Sequence, residues 1–224
     1  MILFEPTKKK LVRTLSFLSP FLIITAGAIF LFWPVLSGKY MFPLHLIGSY
    51  HYIYFRAMQW FLYVLNQIPL WWASYDSGYP ISLTLDGFLN PIFILILKFI
   101  DPFTANHVVI FSFFIFNGLC FYALARSLKL SRPASLVAMI AYSFSGVIIN
   151  YIDVASIAAI LPFLPLSFLC CVKIMERSRL WFIPWLLILT YSWISGWSEL
   201  VVYDLVAVIS FLVYLIIKKK DNNN

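Results

Sequence analysis

Few of the 224 residues are equipped for chemistry, and those few are grouped. Asp76 and Asp86 lie in one stretch around Gly78 and Pro80, so a turn can bring the two carboxylates together. Paired carboxylates serve general acid–base catalysis or hold a divalent metal ion. The plainer reading is two acids that solvate a loop. His45 and His51 come earlier in the same region; an imidazole near neutrality can act as a base, or simply as a surface hydrogen-bonding group. Trp71, Trp72 and Tyr79 fall in Ile68–Pro80, a segment rich in Trp, Tyr, Pro and Gly. Such rings stack on sugars, and they also form the aromatic belt of a membrane interface. Glu199 ends the short junction Gly196-Trp197-Ser198-Glu199, where an acid at a helix start is favoured by the helix dipole. Asp204 lies about 140° around the helix and roughly 7 Å along from Glu199, inside an apolar run. An acid there is expensive and points to function. Cys120, Cys170 and Cys171 sit in apolar runs without CxxC or Cys/His spacing, so they read as packing residues.

The elements that carry these residues are apolar helices. The chain is 62% hydrophobic, 19% aromatic and only 11% charged, with a mean hydropathy of +0.91. A soluble domain has about a quarter of its residues charged. This one could not cover its surface in water, which excludes a soluble enzyme, a disordered tail and a nucleic-acid binder. The pattern predicts an all-α polytopic membrane protein with about six transmembrane helices in a single domain. The spans fall at about 15–36, 107–128, 134–152, 156–175, 180–194 and 200–217. The first run is too long for a signal-peptide core and no cleavage site follows, so it is expected to stay as an anchor.

With six spans and both termini cytoplasmic, 13 of the 16 Lys and Arg residues fall inside. Lys39, Arg56 and Lys98 are the three outside. The net charge of +7 is then mostly an orientation code in a plasma-membrane protein. Asp76, Asp86, Asp101, Asp153, Glu199 and Asp204 gather at or near the outer side, where a functional site is expected. The outer loop 37–106 holds two apolar pieces. Tyr50–Gln67 carries the polar stripe Tyr52, Arg56, Gln59, Tyr63 and Asn66, which predicts an amphipathic helix lying at the interface. Phe88–Ile100 is short enough to be re-entrant or interfacial. Eight spans, with both pieces crossing, is the alternative; it would leave loop 68–87 inside with two Asp and no cation.

A family pattern runs through the same segments. Pro43-Leu44-His45-Leu46-Ile47 with Tyr50, then Pro69-Leu70-Trp71-Trp72, Gly78-Tyr79-Pro80, Asp86 and Pro91, occur in an order that resembles the YfhO-type bacterial membrane proteins. Those belong to the GT-C superfamily of glycosyltransferases that use polyprenyl-phosphate sugars. Downstream, Arg126 to Ala134 and Gly196-Trp197-Ser198-Glu199 look like the family's inner loop and its GxxE junction. The resemblance implies transfer of a sugar from a polyprenyl-phosphate donor to a cell-envelope acceptor on the outer face. By the same implication Asp76 or Asp86 is the base or a ligand of a divalent metal. His45 stands where the family has an acid, and Glu199 belongs to the catalytic set. Arg56 would meet the lipid phosphate, Trp71, Trp72 and Tyr79 the sugar or isoprenoid, and Asp204 would complete the substrate side. The chain is shorter than the family's members, so it reads as the N-terminal module, with a second membrane polypeptide as a candidate partner.

Two rival readings stand beside the enzyme. One is a non-catalytic or truncated membrane partner that binds a lipid carrier or another subunit, suggested by His45 and by the length. The other is a small transporter, suggested by Asp204, Asp153 and the prolines within spans, although no internal repeat is visible. Membrane lipids are partners in every case, and nucleic acid in none.

Overall fold

The computed structural model describes residues 5–37, 55–67, 71, 90–151, 155–176, 179–195 and 197–221. Among the described residues the secondary structure is helical, with no strand. Helix α1 is Glu5–Leu36; α2 is a helical turn at 55–59 that runs into a π-turn at Trp60–Val64. Then come α3 (Pro91–Leu97), α4 (Pro102–Ser127), α5 (Arg132–Ser143), α6 (Gly146–Tyr151), α7 (Ala155–Ile160) and α8 (Phe163–Met175). A 3₁₀ turn at Arg179–Trp181 leads into α9 (Phe182–Ile194), and α10 is Ser198–Asp221.

Four stretches of helix are long and apolar enough to cross a bilayer: Phe17–Leu36, Pro102–Ser127, Ile157–Met175 and Glu199–Lys219. They match four of the six expected spans. The other two differ. The expected span 134–152 is broken between α5 and α6, where Phe144 caps α5 and Ser145-Gly146 follows; Ser and Gly together are a common kink site. The helical stretch Arg179–Ile194 is apolar but shorter than a standard span. A further difference lies at the start of α4, five residues before the expected 107. Asp101 caps it and Pro102 occupies the first turn, so Thr104 and Asn106 are helical rather than loop.

Each of three helices begins with a polar residue just ahead of a proline-bearing first turn. Asn90 caps α3, Asp101 caps α4 and Ser131 caps α5. Each side-chain oxygen accepts a backbone N–H that the helix start leaves unpaired.

Helix α4 is the centre of the bundle and packs on α1, α3, α5, α7 and α8. Over half of its most apolar window is buried (56%), against 22% for α1 and 11% for α10, which lie at the periphery. Phe114 on α4 meets Phe32 of α1 edge-on at 5.1 Å and Phe144 after α5 edge-on at 5.3 Å. Gly118 lets the helices close up: a Cβ there would stand 2.8 Å from Ile24 Cδ1 and 2.9 Å from Ser143 Oγ. Small residues at such crossings let backbones approach where lipid offers no hydrophobic drive to associate. Conversely Phe17, Phe30 and Leu180 are more than three-quarters exposed, as suits a surface solvated by acyl chains.

Candidate functional site

The short helix α3 has a polar feature at each end. At its start, Asn90 is fully buried. Its Oδ1 accepts the backbone N–H of Ile92 at 2.9 Å and of Phe93 at 3.4 Å. The same amide reaches across to α9. Nδ2 donates to Tyr191 Oη at 2.8 Å and to Ser195 Oγ at 3.0 Å, and the Tyr191 hydroxyl donates to Oδ1 at 3.0 Å. Ser195 Oγ in turn donates to the Tyr191 carbonyl at 2.8 Å. The ring of Phe163, at the start of α8, lies 4.8 Å from that of Tyr191. The network fixes the segment entering α3 against the end of α9, two residues before Trp197. Trp197 has φ +55°, a left-handed conformation that a bulky side chain adopts at a cost. Glu199 follows it in the first turn of α10 and is exposed.

At the far end of α3, a groove of about 300 Å³ is lined by Arg56, Gln59, Trp60, Tyr63 and Val64 of α2 with Leu97 and Lys98. It is built by hydrogen bonding between the two elements. Gln59 Nε2 donates to the carbonyls of Leu97 at 3.0 Å and Ile100 at 3.3 Å, and Tyr63 Oη donates to that of Ile94 at 2.6 Å. Below them Phe55 and Phe93 meet edge-on at 5.1 Å, both buried. The polar stripe expected to face an interface therefore spends Gln59 and Tyr63 on α3, while Arg56 remains exposed. The turn from Trp60 to Val64 is π-helical, a form seen mostly as local bulges and frequently at functional sites.

Beyond the groove, Asp101 accepts N–H bonds from Phe103 and Thr104, both at 3.0 Å. Hydrogen bonding by Thr104, from side chain and backbone, holds the exposed Asp101 carboxyl below its ordinary value.

Four of the expected site residues are described. Arg56 lines the groove, and Trp71 is 56% exposed. Glu199 and half-buried Asp204 are on α10, whose main packing partners are α8 and α9. His45, Asp76, Asp86, Trp72 and Tyr79 lie outside the described residues. Among the described residues no three of His, Cys, Asp and Glu gather closely enough to hold a metal ion; Asp76 and Asp86, the pair named for one, are not among them.

The sequence reading missed Asn90, Tyr191 and Ser195 altogether. Asn-Pro is a helix-start signal and could have placed the cap. Nothing local pairs Asn90 with residues about a hundred positions later. In the sequence Lys98 is only an outer charge, and that it shares a groove with Arg56 depends on how α2 meets α3. Comparisons with known protein families, with curated proteins and with solved structures find no match.

Proposed function

We propose that the chain is a GT-C-like glycosyltransferase module. It moves a sugar from a polyprenyl-phosphate donor to a cell-envelope acceptor at the outer face of the plasma membrane. In this reading six segments cross and both termini are cytoplasmic. One observation carries it: the Asn90–Tyr191–Ser195 network ties the residue that follows the acid-bearing segment of sequence to the end of α9. Four residues before Asn90 is Asp86, and four residues after Ser195 is Glu199. Those are the two segments in which the family resemblance expects catalytic acids. The strained Trp197 between α9 and α10 supports the same location.

The chemistry asks little of the protein. An acceptor hydroxyl gives its proton to the carboxylate of Asp76 or Asp86 as its oxygen bonds to the sugar's C1. The C1–O bond to phosphate breaks, and the lipid phosphate leaves with the electron pair. His45 and Glu199 flank that step, Trp71, Trp72 and Tyr79 stack on the sugar, and Asp204 lines the substrate side. The test is sugar transfer from a polyprenyl-phosphate donor in proteoliposomes. Asp76→Asn or Asp86→Asn should lower the rate by about a hundredfold or more; unchanged transfer in both sinks the assignment.

A second reading, a non-catalytic module that binds the lipid carrier or another membrane subunit, is favoured by His45 standing where the resemblance expects an acid. It predicts no transfer by the wild type but retention of the carrier lipid or of a partner on purification.

A further inference from the structure

We infer that the groove between α2 and α3 is a binding site for an ordinary anionic phospholipid of the surrounding leaflet, with the phosphodiester held between Arg56 and Lys98. Both cations line the groove, and both are exposed. Neither forms an ion pair among the described residues, where the salt bridge found is Lys173 with Glu176. The nearest carboxylate in sequence to Lys98 is Asp101, and its Oδ1 is turned to the N–H groups that start α4. Lys98 Nζ stands 5.8 Å over the ring of Phe99, which leaves its charge uncancelled.

The groove also faces the end of a helix, which should repel an anion. Here that repulsion is muted. Gln59 and Tyr63 donate to the carbonyls of Leu97, Ile100 and Ile94, so the last turn of α3 presents satisfied oxygens. What remains is positive and bordered by the aromatic rings of Trp60 and Tyr63.

The rim shows why the phosphate would arrive on an acyl lipid. Of the lining residues, Trp60 is 50% and Val64 67% exposed, and outside the lining, next to it on the α3 side, Leu95 is 60% and Phe99 75% exposed. A water-soluble phosphate ester would leave these surfaces bare. A phospholipid covers them with its chains while its headgroup meets the two cations and the interfacial rings. The inference goes beyond glycosyl transfer: it gives Arg56 a resident lipid in place of the donor phosphate expected from the family resemblance, and it gives Lys98 a role.

The experiment uses the full chain in nanodiscs of phosphatidylethanolamine with phosphatidylglycerol, and native mass spectrometry to count retained phosphatidylglycerol. The wild type should keep a single such lipid. Arg56→Gln/Lys98→Gln should lower its retention by about thirtyfold, as expected for the loss of two interfacial cations. Lys218→Gln/Lys219→Gln, on α10, should not. Equal retention in the Arg56/Lys98 double variant overturns the site. Displacement by glycerol 3-phosphate would mean a soluble phosphate ligand, and displacement by an equimolar polyprenyl phosphate would mean the sugar carrier; either overturns the phospholipid assignment. Should the double variant fail to fold, thermal unfolding decides it. The melting temperature of the wild type should rise with phosphatidylglycerol content, that of Arg56→Gln should not, and Arg56→Lys should restore the rise. A rise equal in wild type and Arg56→Gln overturns the proposal.

Discussion

Asn90 and Asp101 begin neighbouring helices by one local device. Each stands just before a proline in the first turn, has an extended backbone (ψ 116° and 152°), and accepts N–H bonds from the second and third helical residues. Their surroundings differ completely. Asp101 is exposed and its carboxylate serves α4 alone. Asn90 is buried, and its amide has a donor that the carboxylate lacks. It spends that donor on Tyr191 and Ser195 and so joins α3 to α9. A cap in water is a local economy of a few tenths to about 2 kcal/mol. The same cap in the interior becomes a tertiary joint, because a buried polar atom left without a partner carries a desolvation cost that a partner inside the protein removes.

The sharpest way to break this comparison is Asn90→Ala. It removes the cap of α3 and leaves Tyr191 Oη and Ser195 Oγ short of a partner. We expect a loss of about 2–3 kcal/mol, read as reversible unfolding in detergent. If the loss does not exceed that of Asp101→Ala, the interior cap has no tertiary weight.

Asp101→Ala should cost about 1 kcal/mol at neutral pH. This contribution depends on pH with a defined sign. The folded carboxyl titrates below its unfolded value, so the stabilisation is fully present above about pH 4 and is lost as the pH falls through the depressed folded value. The difference between wild type and Asp101→Ala should therefore shrink on acidification. A difference that grows in acid contradicts the capping role.

The smallest effect is expected for a second asparagine. Asn117, at the centre of α4, is as buried as Asn90, yet neither Oδ1 nor Nδ2 meets a hydrogen-bond partner among the described residues. Asn117→Leu should leave stability unchanged within about 0.5 kcal/mol or raise it, since it removes an unmet desolvation cost at similar volume. A clear destabilisation would place a partner at Asn117 that its burial conceals, and the contrast with Asn90 would narrow.

The four long helices were legible because a run of about 20 apolar residues satisfies its own backbone and suits lipid wherever it lies. Ser131-Arg132-Pro133 announced α5, and Ser131 Oγ does accept from Ala134 N–H, at 3.4 Å. The Ser145-Gly146 pair does signal the break, but hydropathy passes over two small residues inside a long apolar run. The start of α4 was misplaced for the opposite reason: Thr104 and Asn106 look like loop by polarity, although Asp-Pro had already set the helix. The roles expected of Asp76, Asp86 and His45 rest on residue type and on the family resemblance, and all three lie outside the described residues.

By itself the sequence determined this protein's solvent and its helix starts. Both are local properties, one a matter of composition and the other of a side chain reaching two or three residues along its own chain. The tertiary structure decided which of those starts became a joint and which charges came to share a groove. Asn90 meets Ser195, and Arg56 comes together with Lys98, across separations that no periodicity spans. Such pairings follow from how whole helices pack, and packing in lipid is set by close fit and by the need to satisfy buried polar atoms, which no single segment contains.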